Sequence, residues 1–280
     1  MDPAPLERRT RINIDGCNLS VQVAGRGSPA IVFLNCSGGD GSEWNKVVPL
    51  LPAGSATVRY GRPGLAGSDP LPGSEVERER SALWAAQQLR DLLQSAEVAP
   101  PYVLVSSSLG AWILGLYART WPDELAGAVL VDPTMRVPWP DEVLRGPVVE
   151  DGGSGGIRFP LAACYDELRE RPSPPISRSV VVSSSVGRLV RDPPENPWYE
   201  PLALEQVDEL WQGFQRDRAR HLSATQVLAH TAGHFVHRDA PELVSLVTRA
   251  VVDAAHAGGH LQLSATELEQ SGGYLAGRAD

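Results

Sequence analysis

Cysteine is scarce in this 280-residue chain: Cys17, Cys36 and Cys164 are three widely spaced residues without a CxxC pair. So odd and dispersed a set excludes a disulfide framework, offers no thiolate cluster to a metal, and fits free thiols in a reducing compartment. Lysine is scarcer still, with Lys46 alone among 25 basic residues. That arginine bias reads as the mark of a GC-rich coding sequence and says little about chemistry. Positive charge is in deficit overall, 25 Lys and Arg against 34 Asp and Glu, for a net charge of −9. The field of such a chain repels phosphate backbones and anionic lipid, so neither nucleic acid nor a membrane surface is an expected partner. Long apolar runs are missing too. The longest mostly apolar stretch, 102–118, is broken by three serines and two glycines, and the opening MDPAPLERRTR has no apolar segment after its charges. Neither a membrane span nor a secretory leader is read there, and a cytoplasmic protein is expected.

What is present is the composition of a globular domain: 42% hydrophobic, 21% charged, with 27 Gly and 24 Pro dispersed along the chain, which excludes disordered, collagen-like and coiled-coil classes. Short apolar runs alternate with stretches of helical period, as in helices packed around a mostly parallel sheet. The strand candidates are 11–14 and 19–23 around the turn Asp15-Gly16, then 30–35, 56–60, 102–105, 126–131, 179–183 and 225–230. Helical spacing marks 44–51, 75–98, 109–121, 202–222 and 241–255. Between 133 and 178 no strand pattern is found, but Pro, Gly and aromatic residues are frequent, which suggests a lid. The predicted organisation is a core over 1–132 and 179–257, a lid over 133–178, and a tail over 258–280 that packs loosely. There is no internal repeat.

The chemistry concentrates where the strand 102–105 meets the helix 109–121. Ser106-Ser107-Ser108-Leu109-Gly110 is a GxSxG elbow with serine in place of its first glycine. Such a turn forces its nucleophile into a strained backbone conformation, and Ser106, Gly110 and Ala111 are small enough to let strand and helix approach. Ser108 is the nucleophile candidate. A serine needs a base, and His234, in Gly233-His234-Phe235 after the strand 225–230, lies on a loop that can reach the sheet mouth. His230 and His237 flank it as structural alternatives. Zinc binding by the three is not expected, because no carboxylate or Cys completes an open site at suitable spacing. The glycines of GGDGS lack a following GK[ST] and make no phosphate loop, so no cofactor is expected.

Four segments in this order resemble the α/β-hydrolase fold family over roughly 10–255: VFLNCSGGDGSEW its oxyanion loop, YGRPGLAGSDP its DRxGxGxS turn, YVLVSSSLGAW its elbow, and GHFVHRDAPELV its histidine loop and last helix. The resemblance implies a mostly parallel central sheet flanked by helices, with a short lid inserted between two strands. It also implies a serine hydrolase acting through an acyl-enzyme. In most of the family the acid follows the strand that here is SVVVS, where this chain has SSVGR and only later Asp192. Some branches, including certain dehalogenases, carry it after the preceding strand, where Asp132 stands in LVDPT; Asp132 is the better candidate and Asp192 the alternative. By position in the loops, the backbones of Ser37 and Leu109 are the oxyanion donors. Asn35-Cys36 replaces the family's common His-Gly, and an Asn at that place resembles the enol-lactonase branch. Gly61 replaces the Asp of the DRxG turn, at the expected cost of a structural hydrogen bond. Cys36 reads as a small buried residue rather than a thiol nucleophile, and Trp44, Trp112, Trp139 and Trp198 as pocket lining or core. The expected activity is hydrolysis of a carboxylic ester, lactone or thioester of a small to medium apolar molecule. Non-hydrolytic elimination, cyclisation or acyl transfer, and ligand binding without turnover, are the alternatives.

Overall fold

Both faces of the central strands carry apolar residues without interruption, which is what a sheet covered on two sides demands. The structure, a computed structural model, describes residues 7–73, 78–134, 148–152, 155–170, 175–195 and 202–277. β1 (Arg8–Ile14) and β2 (Cys17–Ala24) form an antiparallel hairpin at one edge, turning through Asp15 and Gly16, both at positive φ. β3 (Ala30–Leu34), β4 (Thr57–Tyr60), β5 (Tyr102–Ser107), β6 (Leu125–Val131), β9 (Ser179–Ser183) and β10 (Thr225–Ala229) run parallel in the spatial order β4-β3-β5-β6-β9-β10. Alternation along β5 divides the core. Tyr102 and Leu104 face the cluster built with α1 (Ala82–Ser95) and α2 (Gly110–Thr120), while Val103 and Val105 face Leu243, Val244, Val247 and Val251 of α7 (Pro241–His256).

Most predicted elements match within a few residues. The exceptions have local causes. The helix expected from 75 begins only after Ser81, whose hydroxyl accepts the Trp84 N–H and caps it, and it ends before Glu97 at φ 61°. The helix expected over 44–51 is two single 3-10 turns, Ser42–Trp44 and Val48–Leu50, the second holding Pro49. The stretch 133–178, expected to lack strands, contains the hairpin β7 (Val148–Asp151) and β8 (Ile157–Pro160), followed by α3 (Leu161–Glu170). Four-residue strands are too short to show a period. Phe159 and Cys164 of this insertion are fully buried in the α1–α2 half of the core, and Leu168 reaches so close to Gly115 that a Cβ there would lie 2.9 Å from it.

Beyond β9 come α4 (Arg188–Arg191) and α5 (Leu204–Leu222), and beyond β10 the four-residue α6 (Val236–Asp239). The C-terminal stretch, expected to pack loosely, instead forms α8 (Ala265–Gln270) and β11 (Gly273–Leu275). β11 adds antiparallel to β10, with Leu228 opposite Tyr274, and closes the sheet at its second edge. Leu268 is fully buried among the α7 side chains, and a Cβ at Gly273 would meet Leu243 at 2.7 Å. No helix among the described residues is long and apolar enough to cross a membrane.

Because Leu268 seals the α7 half of the core, Leu268→Ala is expected to lower stability by about 2–5 kcal/mol in denaturant unfolding. An unchanged midpoint would mean that the C-terminal elements lie on the fold without supporting it.

Candidate active site

The strand–helix junction at Ser108 is tight. Ser108 has φ 49°, and its backbone is clamped on both sides: its N–H donates to the Val131 carbonyl and its carbonyl accepts from Thr134 and Ala111. A Cβ at Gly110 would lie 2.6 Å from the Leu34 carbonyl oxygen, so only glycine lets α2 start against the end of β3. Ser106 and Ser107 are fully buried, and their hydroxyls have no partner among the described residues.

Three of the predicted residues meet at this junction. Ser108 Oγ lies 2.9 Å from His234 Nε2, and His234 Nδ1 lies 2.7 Å from Asp132 Oδ2. Asp192 does not share in this; it is exposed at the end of α4, its backbone N–H donating to the Arg188 carbonyl. The Asp132 carboxylate is buried and heavily solvated by protein. Oδ1 accepts the Ser184 N–H at 2.9 Å and the Trp211 Nε1–H at 3.1 Å, and Arg188 Nη2 lies 3.6 Å from Oδ2. Burial alone raises its pKa, but the His234 bond, the imidazole and guanidinium charges and the Ser184 N–H together hold it below the usual carboxylate value. Arg188 is itself fixed, donating to Ser184 Oγ and lying over the Trp211 ring, whose plane is nearly perpendicular to the His234 ring.

The loop after β3 has several of its N–H donors taken up within the fold. Cys36 N–H donates to Glu43 Oε1, Gly38 N–H to Asp151 Oδ1, and Gly39 N–H to the Cys36 carbonyl. Among the described residues, the Ser37 N–H has no acceptor, and neither has that of Leu109 at the head of α2. Asn35 braces the loop from inside, donating to the Gly39 and Tyr60 carbonyls and accepting from Trp44 Nε1. Trp44 and Trp112 are buried core residues, against Phe33 and His237 in one case and Phe159 and Tyr165 in the other. Trp139 and Trp198 lie outside the described residues. Burial, and then the Glu43 carboxylate, push the Cys36 thiol up to about 12, which suits a packed thiol and not a nucleophile.

Several residues here went unmarked in the sequence. Arg62 is fully buried and donates to the Asn35 and Cys36 carbonyls at 3.0 and 2.6 Å while pairing with both oxygens of Asp151, itself inaccessible. Burial disfavours its charge, but Asp151 outweighs that and raises the guanidinium pKa. At Gly61 a Cβ would stand 2.3 Å from the Leu65 carbonyl, so the turn excludes an Asp, and the carboxylate that meets Arg62 comes from β7 instead. Glu43 is buried under the loop with its pKa raised by burial. Thr134 Oγ1 lies 2.8 Å from Ser108 Oγ. The flanking histidines lie outside the Ser108–His234–Asp132 line: His230 Nε2 lies 3.1 Å from Glu269, and His237 is buried against Trp44 with its Nε2 3.8 Å from Glu43 Oε1 and neither ring nitrogen hydrogen-bonded among the described residues.

A model of the Alpha/beta hydrolase family matches residues 31–267. The uncharacterized protein YqjL of Bacillus subtilis (strain 168) is 31% identical over 248 residues, covering 86% of this chain and 91% of YqjL. Among solved structures, the haloalkane dehalogenase DbeA from Bradyrhizobium elkani USDA94 is similar with a TM-score of 0.60 at 13% identity, covering 90% of this chain and 100% of DbeA. A thioesterase domain from the curacin biosynthetic pathway is similar with a TM-score of 0.57 at 16% identity, over 86% of this chain and 99% of that domain.

Two stability tests follow from the buried charges. Asp151→Asn leaves the Arg62 charge buried without its counter-ion and is expected to cost about 3–5 kcal/mol in urea unfolding, whereas the paired change Arg62→Met with Asp151→Leu recovers part of the loss. Equal losses in the single and paired variants would show that packing and not charge is at stake. Burial, reinforced by Arg238 and His234, lowers the His237 pKa to about 3 from an ordinary 6.5. Below that ordinary value the unfolded chain takes up a proton that the folded one refuses, so stability falls as pH drops through this window. Relative to His237→Phe, wild type is expected to lose about 1.4 kcal/mol per pH unit between about pH 6 and 4. Parallel curves for the two proteins would mean that His237 is protonated in the fold.

Proposed function

Because the chain belongs to the alpha/beta hydrolase family, we propose that it is a serine hydrolase cleaving a carboxylic ester, lactone or thioester of a small to medium apolar substrate. The observation that carries this reading is the unbroken hydrogen-bond line Ser108–His234–Asp132, at 2.9 and 2.7 Å. Ionised Asp132 accepts the Nδ1–H of His234, which leaves Nε2 bare and able to take the Ser108 proton as Oγ attacks the carbonyl carbon. The developing oxyanion is held by the backbone N–H groups of Ser37 and Leu109. The imidazolium then protonates the leaving alcohol or thiol. Water attacks the acyl-enzyme with His234 again as base, and the C–Oγ bond breaks to release the acid. Asp132 orients the ring and stabilises its cationic form throughout, with Ser184, Trp211 and Arg188 keeping the carboxylate in place.

Asp151, in the 133–178 segment read as a lid, ties that segment to the oxyanion loop through the Gly38 N–H and Arg62. The thioesterase domain among the similar structures supports acyl chemistry on this fold, and a dehalogenase among them leaves other substrates on it open to test. Intact-mass labelling by a fluorophosphonate probe, run beside p-nitrophenyl acetate hydrolysis, tests the reading. A single adduct and turnover are expected for wild type, with turnover reduced about 10⁴-fold or more in Ser108→Ala and His234→Ala, and strongly reduced in Asp132→Asn. A folded wild-type protein that neither labels nor turns over would direct attention to elimination, cyclisation, acyl transfer or binding without turnover.

A further inference from the structure

The proton inventory around Ser108 has one consequence for a residue outside the triad. Ionised Asp132 accepts from its partners, so His234 Nδ1 carries a hydrogen, and with His234 neutral, as a base must be, Nε2 carries none. The Ser108 hydroxyl therefore donates to Nε2 at 2.9 Å and cannot also donate to Thr134 Oγ1 at 2.8 Å. The Thr134 hydroxyl must be the donor in that contact, and Ser108 Oγ its acceptor. The pair is held by the backbone as well, since the Thr134 N–H donates to the Ser108 carbonyl at 3.1 Å.

We infer that Thr134 is a further catalytic residue, whose hydroxyl donates to Ser108 Oγ and speeds the release of the acyl group more than its capture. The inference rests on the serine-hydrolase reading above. In the free enzyme Oγ belongs to a hydroxyl and is a good acceptor, so the Thr134 bond is already formed before attack and adds little to acylation. In the acyl-enzyme Oγ is an ester oxygen whose lone pair is delocalised into the carbonyl, and it accepts poorly. When water adds to the acyl carbon, giving its proton to His234 Nε2, that delocalisation ends. As the C–Oγ bond breaks, its electron pair stays on Oγ, which takes the proton from His234. Thr134 keeps its own proton throughout, and its hydrogen bond strengthens as charge builds on Oγ. A contact stronger in the transition state than in the ground state is what accelerates a step.

Stopped-flow release of p-nitrophenol from p-nitrophenyl acetate separates the two half-reactions, the burst reporting acylation and the steady state deacylation. Thr134→Val is expected to slow the steady state about 10- to 100-fold with a burst rate within about threefold of wild type. Its acyl-enzyme should then accumulate in the intact mass, and Thr134→Ser, which restores the hydroxyl, should restore turnover. Thr134→Ala serves as the second variant if valine unfolds the protein, with thermal melts checking each. A wild type that forms an acyl-enzyme while the Val or Ala variant turns over at its rate, or loses both phases equally, overturns the role of Thr134 and leaves the serine-hydrolase reading intact. A wild type that forms no acyl-enzyme at all overturns both.

Discussion

The left-handed backbone at Ser108 is the constraint on which the site depends. A non-glycine residue at φ 49° is strained by about 1–2 kcal/mol, and here the surroundings over-determine it. The Ser108 N–H is taken by the end of β6, its carbonyl by Thr134 and Ala111, and α2 begins so close to β3 that position 110 has no room for a side chain. Strand, helix and the segment leaving β6 thus converge on one residue. The same convergence brings Asp132, two residues before Thr134, to Nδ1 of His234, with its own backbone at φ 39° and its N–H bonded to the Val182 carbonyl.

A second network holds the loop that faces Ser108 across the sheet mouth. Its inner side is wired to three buried groups from three places in the chain: Glu43 on the Cys36 N–H, Arg62 on the Asn35 and Cys36 carbonyls, and Asp151 on the Gly38 N–H. With those groups spoken for, the Ser37 N–H is left without an acceptor among the described residues. The geometry of the loop is therefore fixed partly by a hairpin that belongs to the insertion after β6. Loop and insertion cannot move independently without exposing or unpairing a buried guanidinium–carboxylate pair.

How far this was legible in the sequence depends on range. The elbow, the histidine loop and the parallel strands are local patterns, and each is written in fewer than about a dozen neighbouring residues; strand ends and small-residue spacing mark Ser108 and His234, whereas Asp132 is preferred to Asp192 on the family resemblance. Arg62 and Asp151 are 89 residues apart, and Gly38 and Asp151 are 113 apart, so their pairing exists only once the sheet has assembled. Nothing local sets Glu43 apart among the 34 Asp and Glu, or marks Thr134 within the segment after Asp132. The short β7, β8 and β11 fall below the length at which alternation is visible, and each is held by pairing with a neighbour rather than by its own pattern.

The position of the proposed acid has a physical logic of its own. Were the carboxylate on the loop after β9, it would reach His234 from a turn of serines and glycine; in this chain that turn does something else. Its Ser184 N–H donates to Asp132, its Ser184 hydroxyl receives Arg188, and the following Ser185 bonds the Ala232 carbonyl two residues before His234. The loop after β9 has become the cradle for an acid that arrives from β6, and it ties that acid to the histidine loop by direct hydrogen bonds. Moving the carboxylate one strand nearer the nucleophile also places the residues after it, Pro133 and Thr134, against Ser108 itself. The segment that carries the acid to His234 thus also carries a threonine hydroxyl to the nucleophile.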